Sequence, residues 1–189
     1  MIQQSDIGKA PTLKPYNQQS LMTNNDGNHF LELLNDDLAL NLGRAVWTFA
    51  QIEWLTYEYM RELSGDTLDV LMGNQLFKAR TTLIINLLER LDVREKERAL
   101  DYIKRADKLA DVRNTIVQNP WKIWIDLKQK DFRTEIQTYN NHQKKFDLSA
   151  LQKFIKDAQE IASGLEQALG AITLASKGQQ RKHAAQAVW

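Results

Sequence analysis

The stretch 111-DVRNTIVQNPWKIWID-126 contains the point at which the chain changes its period. Up to Val117 the apolar residues recur three and four apart, as they must on one face of a helix. Tyr102, Ile103, Ala106, Leu109, Ala110, Ile116 and Val117 fall into that register. Pro120 restricts Asn119 to extended backbone, so this helix is expected to run from about Glu95 to about Gln118. Beyond the proline, "WKIWID" and "DFRTEIQTY" are short, rich in aromatic and β-branched residues, and separated by the charged "LKQK". That composition predicts a β-hairpin.

Three further helices are expected around this switch. Leu38, Leu42, Ala45, Phe49, Ile52, Thr56, Tyr59 and Leu63 alternate steps of four and three, which predicts a long amphipathic helix from about His29 to Ser64-Gly65. "DTLDVLMGNQLFKARTTLIINLLERL" predicts a second, with Asp66 or Thr67 as N-cap and Leu68, Leu71, Met72, Leu76, Ala79, Leu83, Leu87 and Leu91 on one side. Downstream, "NNHQKKFDLSALQKF" reads as a loop leading to an N-cap at Asp147 or Ser149. Leu151, Phe154, Ile155, Ala158, Ile161, Leu165, Ala168, Leu169 and Ile172 then continue as the last helix. Four amphipathic helices joined by short connections can bury their stripes only against one another. The expected class is all-α: an antiparallel four-helix bundle with a small β-hairpin inserted between helices three and four.

Residues 1–28 are rich in Gln, Asn, Ser and Thr, carry Pro11 and Pro15, and lack apolar periodicity, so they are expected to be a flexible arm. The bundle is expected over residues 29–176. Residues 177–189 begin with a helix-stopping Gly178 and form either a frayed extension or a tail that docks through Trp189.

The totals exclude several classes. A chain of 189 residues is most simply one domain. With 25 Lys and Arg against 24 Asp and Glu, no global field attracts nucleic acid or an acidic membrane, so any such binding needs a local patch. There is no cysteine, hence no disulfide framework and no thiolate chemistry. The first residues contain no apolar signal core and no later stretch reaches a membrane span, which implies a cytoplasmic protein without a membrane partner. No glycine-rich phosphate loop, nucleophile–base pair or paired catalytic carboxylates stand out, so no cofactor is expected. His29, His142 and His183 are scattered, and a metal site is not expected. Arg94, Lys96, Arg98, Lys104, Arg105 and Lys108 on helix three could face an RNA backbone, but Glu95, Glu97, Asp101 and Asp107 interleave with them, and a solvated mixed-charge face fits better.

Arg113 is the residue out of place. It shares a helix face with Leu109, Ala110, Ile116 and Val117, and a guanidinium cannot shed its charge when it is covered. One explanation is a structural ion pair with Glu53, which flanks the stripe of the first helix. The other is a cleft or dimer groove in which the planar fork binds phosphate. Asn114 and Gln118, one turn apart, add two amides at the same helix end. Gln118 and Asn119 could equally satisfy the last helical carbonyls. Trp121 and Trp124, three apart on a strand, should point to opposite sheet faces, one onto the helices and one outward to a partner or to stacked bases. His142, just beyond the hairpin, is the one histidine that a fold could bring near Arg113.

"RNTIVQNPW" resembles the signature of the HEPN superfamily (higher eukaryotes and prokaryotes nucleotide-binding). These helical bundles carry an arginine, usually followed by a polar residue, and a histidine four to six residues further on. Arg113-Asn114 matches the start of that signature, and Gln118 stands at the histidine position. "LGRAVWTFAQIEWL" is similar to the first helix of bacterial proteins of this type. The resemblance implies a homodimer in which two motifs line one cleft, RNA or a nucleotide as ligand, and a bacterial defence or toxin–antitoxin setting with a cognate antitoxin as partner. In active members it implies metal-independent RNA cleavage, the histidine assisting the ribose hydroxyl and the arginine holding the phosphate. An amide cannot exchange a proton near neutral pH, so Gln118 implies a silent enzyme. The glutamine is either native to a silent relative or a substitution that disables a toxic nuclease.

Overall fold

The computed structural model of the protein describes residues 26–64, 68–126, 131–138 and 141–186. In chain order these form α1 (Asp26–Ser64), α2 (Leu68–Leu71), α3 (Phe77–Glu89), α4 (Lys96–Gln118), β1 (Trp121–Asp126), β2 (Asp131–Thr138), β3 (Asn141–Asp147) and α5 (Leu148–Gln186). The fold is mostly helical with a small sheet. Residues 26–37 form the first turns of α1, and the main packed unit begins at Leu38.

The stripe on α1 behaves as its spacing requires. Leu38, Ala45, Phe49, Ile52, Thr56 and Tyr59 are buried, with Leu42 and Leu63 half-buried at the margin. On α5, Leu151, Phe154, Ile155, Ala158, Ile161, Leu165, Ala168 and Ile172 are buried. Phe49 joins the helices: its ring centroid lies 5.3 Å from that of Phe77 on α3 and 6.2 Å from that of Phe154 on α5. Tyr59 is fully buried, and its hydroxyl donates to the Leu165 carbonyl oxygen of α5 at 2.8 Å. Burial pushes this phenol well above its usual range, so it stays neutral and keeps its proton for that bond.

Helix α5 also approaches α4 through a glycine. A β-carbon at Gly164 would stand 2.2 Å from Tyr102 Cζ, so the Tyr102 ring lies directly on the α5 backbone. Gly164→Ala gains about 1 kcal/mol of helix propensity but forces the ring out of its seat, where overpacking costs about 1–3 kcal/mol. The ring cannot swing freely, because Arg98 and Arg105 stand over it at 5.7 and 5.3 Å. A net loss of about 1 kcal/mol is expected, measured as a lower urea midpoint with an unchanged slope.

Several expectations are corrected. The second helix is broken: Gly73 and Asn74 interrupt the leucine run, with Gly73 N–H donating to Val70 O at 3.3 Å and Gln75 N–H to Met72 O at 3.0 Å. Leu71 and Leu76 therefore leave the apolar stripe and are exposed. The expected caps Asp66 and Thr67 lie outside the described residues. The hairpin is a three-stranded antiparallel sheet in the order β1-β2-β3. The polar segment expected to be a loop, His142 included, forms β3, where Glu135 pairs with Asp147, Ile136 with Phe146 and Gln137 with Lys145 before the register shifts at Gln137/Thr138. Here strand pairing overrides weak local propensity. Asp147 does cap α5, its Oδ1 accepting from Ala150 N–H at 2.7 Å.

Helix α5 does not stop at Gly178 but runs to Gln186. A single interior glycine costs only about 1 kcal/mol and the neighbouring Lys, Gln and Arg are good helix formers. Val117, expected on the buried face of α4, is exposed in the last turn. Of the arm expected over residues 1–28, residues 26–28 belong to α1, while residues 1–25 and the tip of the tail, Trp189 included, lie outside the described residues. Among the described residues no helix is long and apolar enough to cross a membrane.

Candidate functional site

Arg113 lies five residues before the end of α4, close enough to the Pro120 stop to remain partly open to solvent. Its Nη2 donates to Glu53 Oε1 of α1, and its guanidinium carbon stands 4.9 Å from the Phe49 ring centroid. The side chains of Arg113 and Glu53 are 27% and 33% exposed. The cation is thus held on one side by a carboxylate and on another by an aromatic face, which satisfies a half-covered charge without any ligand.

The surrounding amides divide between two tasks. Asn119 Nδ2 donates to the Thr115 carbonyl oxygen at 2.9 Å and closes the last turn. Thr115 Oγ1 in turn donates to Asp111 O at 3.1 Å. Asn119 is therefore a capping residue. Asn114 is half-buried and Gln118 exposed on the same terminal turns as Arg113. Trp121 packs edge-on against Phe146 of β3 with ring centroids 6.0 Å apart, and its Nε1 is buried without an acceptor among the described residues. Trp124 is exposed, as strand alternation requires. His142 is placed on β3 by its backbone, and its side chain lies outside the described residues.

The mixed-charge face of α4 is tied in part to its neighbours. Arg105 meets Asp101 at 3.9 Å and Glu160 of α5 at 2.7 Å, while Arg98 donates to Gln167 at 3.0 Å. The hydrogen bond to Glu160 raises the Arg105 pKa further above its already high ordinary value. Asp107 accepts from Thr81 Oγ1 at 3.1 Å. At Arg98 and Arg105 this face presents partnered groups rather than free cations.

The chain matches no family model, no curated protein and no solved structure.

Two features were not anticipated from the sequence. Arg80 on α3 is almost fully buried, with Nε donating to Thr56 Oγ1 at 3.2 Å and Nη1 to Tyr57 Oη at 2.7 Å and Gln75 O at 2.9 Å. It lies 4.5 Å from the Tyr57 ring centroid and ties α1 to the turn before α3. The second feature is the outer face of α1. Trp47 and Trp54 are exposed, and Leu40 and Val46 accompany them. The signal was present, since Leu40, Gly43, Trp47, Ala50 and Trp54 follow the same three-and-four spacing as the core stripe but on the opposite side of the helix. Beside Trp54, a shallow groove of about 330 Å³ between α1 and α5 is lined by Gln51, Leu55, Ala162, Ser163 and Glu166.

Proposed function

We propose that the chain is a non-enzymatic helical interaction module of HEPN-like ancestry, an antiparallel four-helix bundle that acts by assembling with another protein surface. The observation that carries this reading is the outer face of α1, where two tryptophans and two aliphatic residues stand in solvent at helical spacing. Large exposed apolar patches of this kind mark interaction sites. Arg113 supports the same reading. Its Glu53 partner and the Phe49 ring account for its charge and plane, so it serves as a tie between α4 and α1. Gln118 offers no group that could carry a proton for RNA cleavage.

A second reading is favoured by the part of Arg113 that remains exposed next to Asn114 and Gln118. In it, this helix end is a degenerate RNA or nucleotide site of a defence or toxin–antitoxin protein, assembled as a homodimer and held by an antitoxin. The two readings separate on Arg113→Ala. As a structural tie its loss is expected to cost about 1 kcal/mol, a drop in melting temperature of about 2–4 °C. Fluorescence anisotropy with labelled single-stranded RNA should show no Arg113-dependent binding. RNA binding that disappears in Arg113→Ala at unchanged melting temperature would overturn the interaction-module reading. So would metal-independent cleavage, in chelator, gained by Gln118→His.

A further inference from the structure

We propose that the outer face of α1 pairs with the same face of a second copy of this chain, antiparallel, in one defined register. The proposal rests on the interaction-module reading and names its partner. Between Leu40 and Trp54 the residues opposite the core stripe are Leu40, Gly43, Trp47, Ala50 and Trp54, spaced three, four, three, four. This is the alternation of a two-helix seam. In an antiparallel pair each position of one kind faces a position of the other kind. Applied here, Trp54 faces Gly43 of the partner and Trp47 faces Ala50 of the partner, with Leu40 at each end.

Every tryptophan then meets a small residue. In the parallel alternative Trp47 would meet Trp47 and Trp54 would meet Trp54, while Gly43 and Ala50 would leave gaps. Interdigitation of large and small side chains is what close helix packing demands. The space is open: nothing stands within 4 Å of where a β-carbon of Gly43 would lie. Along the edge of the seam Arg44 lies nearest to Gln51 of the partner, a neutral contact.

The area is sufficient for a reversible dimer. Trp47 and Trp54 are 69% and 59% exposed. At about 150–250 Å² per fully covered aromatic, they offer roughly 250 Å² per chain. Leu40, Val46, Ala50 and the flanking stems extend the seam over about four turns, roughly 22 Å. The two copies together then bury on the order of 1,000 Å², the size of a weak interface. Area alone does not set affinity, and an interface at this lower limit calls for a search at micromolar and higher concentration.

The test uses the full chain and sedimentation equilibrium across about 1–200 µM, with circular dichroism to confirm that each variant stays folded. The wild type is expected to go from monomer to dimer. Trp47→Asp is expected to weaken the dimer at least about 100-fold, since two charges enter the seam. Gly43→Trp fills the socket of Trp54 and is also expected to give a folded monomer. Trp54→Ala added to Gly43→Trp exchanges large and small across the same layer and is expected to restore the dimer. A dimer that survives Trp47→Asp would overturn this seam while leaving self-assembly intact. A dimer lost in Trp47→Asp but not rescued by the double variant would overturn the register. A wild type that stays monomeric throughout the range would overturn self-pairing. The interaction-module reading itself would then still be decided by the Arg113 experiment.

Discussion

Phe49→Ala is expected to lower the stability of the fold by about 3–5 kcal/mol, the largest effect of any single truncation considered. The ring is 1% exposed and touches three other elements: Phe77 on α3, Phe154 on α5 and the guanidinium of Arg113 on α4. Alanine leaves a cavity that no one helix can fill, because the four walls belong to different segments of the chain. It also strips Arg113 of its aromatic cover, so the Arg113–Glu53 pair should become more exposed to salt screening. Urea unfolding gives the first quantity, and its dependence on salt concentration gives the second. A loss below about 1 kcal/mol would mean that Phe49 is not the junction that its ring contacts describe.

Arg80→Ala is expected to cost about 2–4 kcal/mol, unusually high for removal of an arginine. The guanidinium satisfies the Gln75 carbonyl in the turn between α2 and α3 and donates to Thr56 and Tyr57 on α1. Removing it strands a carbonyl and deletes a long aliphatic stem packed in the interior. Taking a charge out of a covered site offsets part of that loss. Arg80→Met keeps the stem and is therefore expected to recover about half of the lost stability, whereas Arg80→Lys, which keeps the charge but loses the planar fork, recovers less. Thermal or urea unfolding of the three variants gives the order directly. If alanine and methionine cost the same, the stem contributes nothing and the hydrogen bonds carry the whole effect.

Which parts of this architecture could be read in advance follows from the length of each pattern. Helices α1, α4 and α5 carry their period over many turns, so propensity errors average out and the buried residues follow. The end of α4 was legible because Pro120 acts by steric exclusion, which no packing overrides. The break between α2 and α3 was hidden in a leucine-rich run, where Gly73 and Asn74 were outvoted by their neighbours. Strand β3 was illegible for the opposite reason: Asn141 to Lys145 have little strand character of their own, and only pairing with β2 makes a strand of them.

The candidate site divides in the same way. Arg113 and Glu53 could be paired from sequence because each is a charge at the margin of an apolar stripe, and two such margins meet when the stripes pack. Arg80 could not be singled out, since its partners are a hydroxyl, a phenol and a carbonyl supplied by a turn that was not foreseen. Trp47 and Trp54 were passed over because one apolar stripe suffices to explain a helix, and a second, on the opposite side, needs the first to be buried before it means anything. Once the core stripe is buried against α3 and α5, those tryptophans are left facing outward and become the feature that asks for a partner.

The claim that Arg113 is a tie between helices rather than a phosphate ligand is tested most directly by a double-mutant cycle on Arg113 and Glu53. Urea unfolding of Arg113→Ala, Glu53→Ala and the double variant isolates the coupling between the two side chains. The account requires a favourable coupling of about 1 kcal/mol, reduced at high salt, with the double variant little less stable than either single one. Losses that simply add, within about 0.3–0.5 kcal/mol, would contradict it and return Arg113 to the solvent as a residue in need of a ligand.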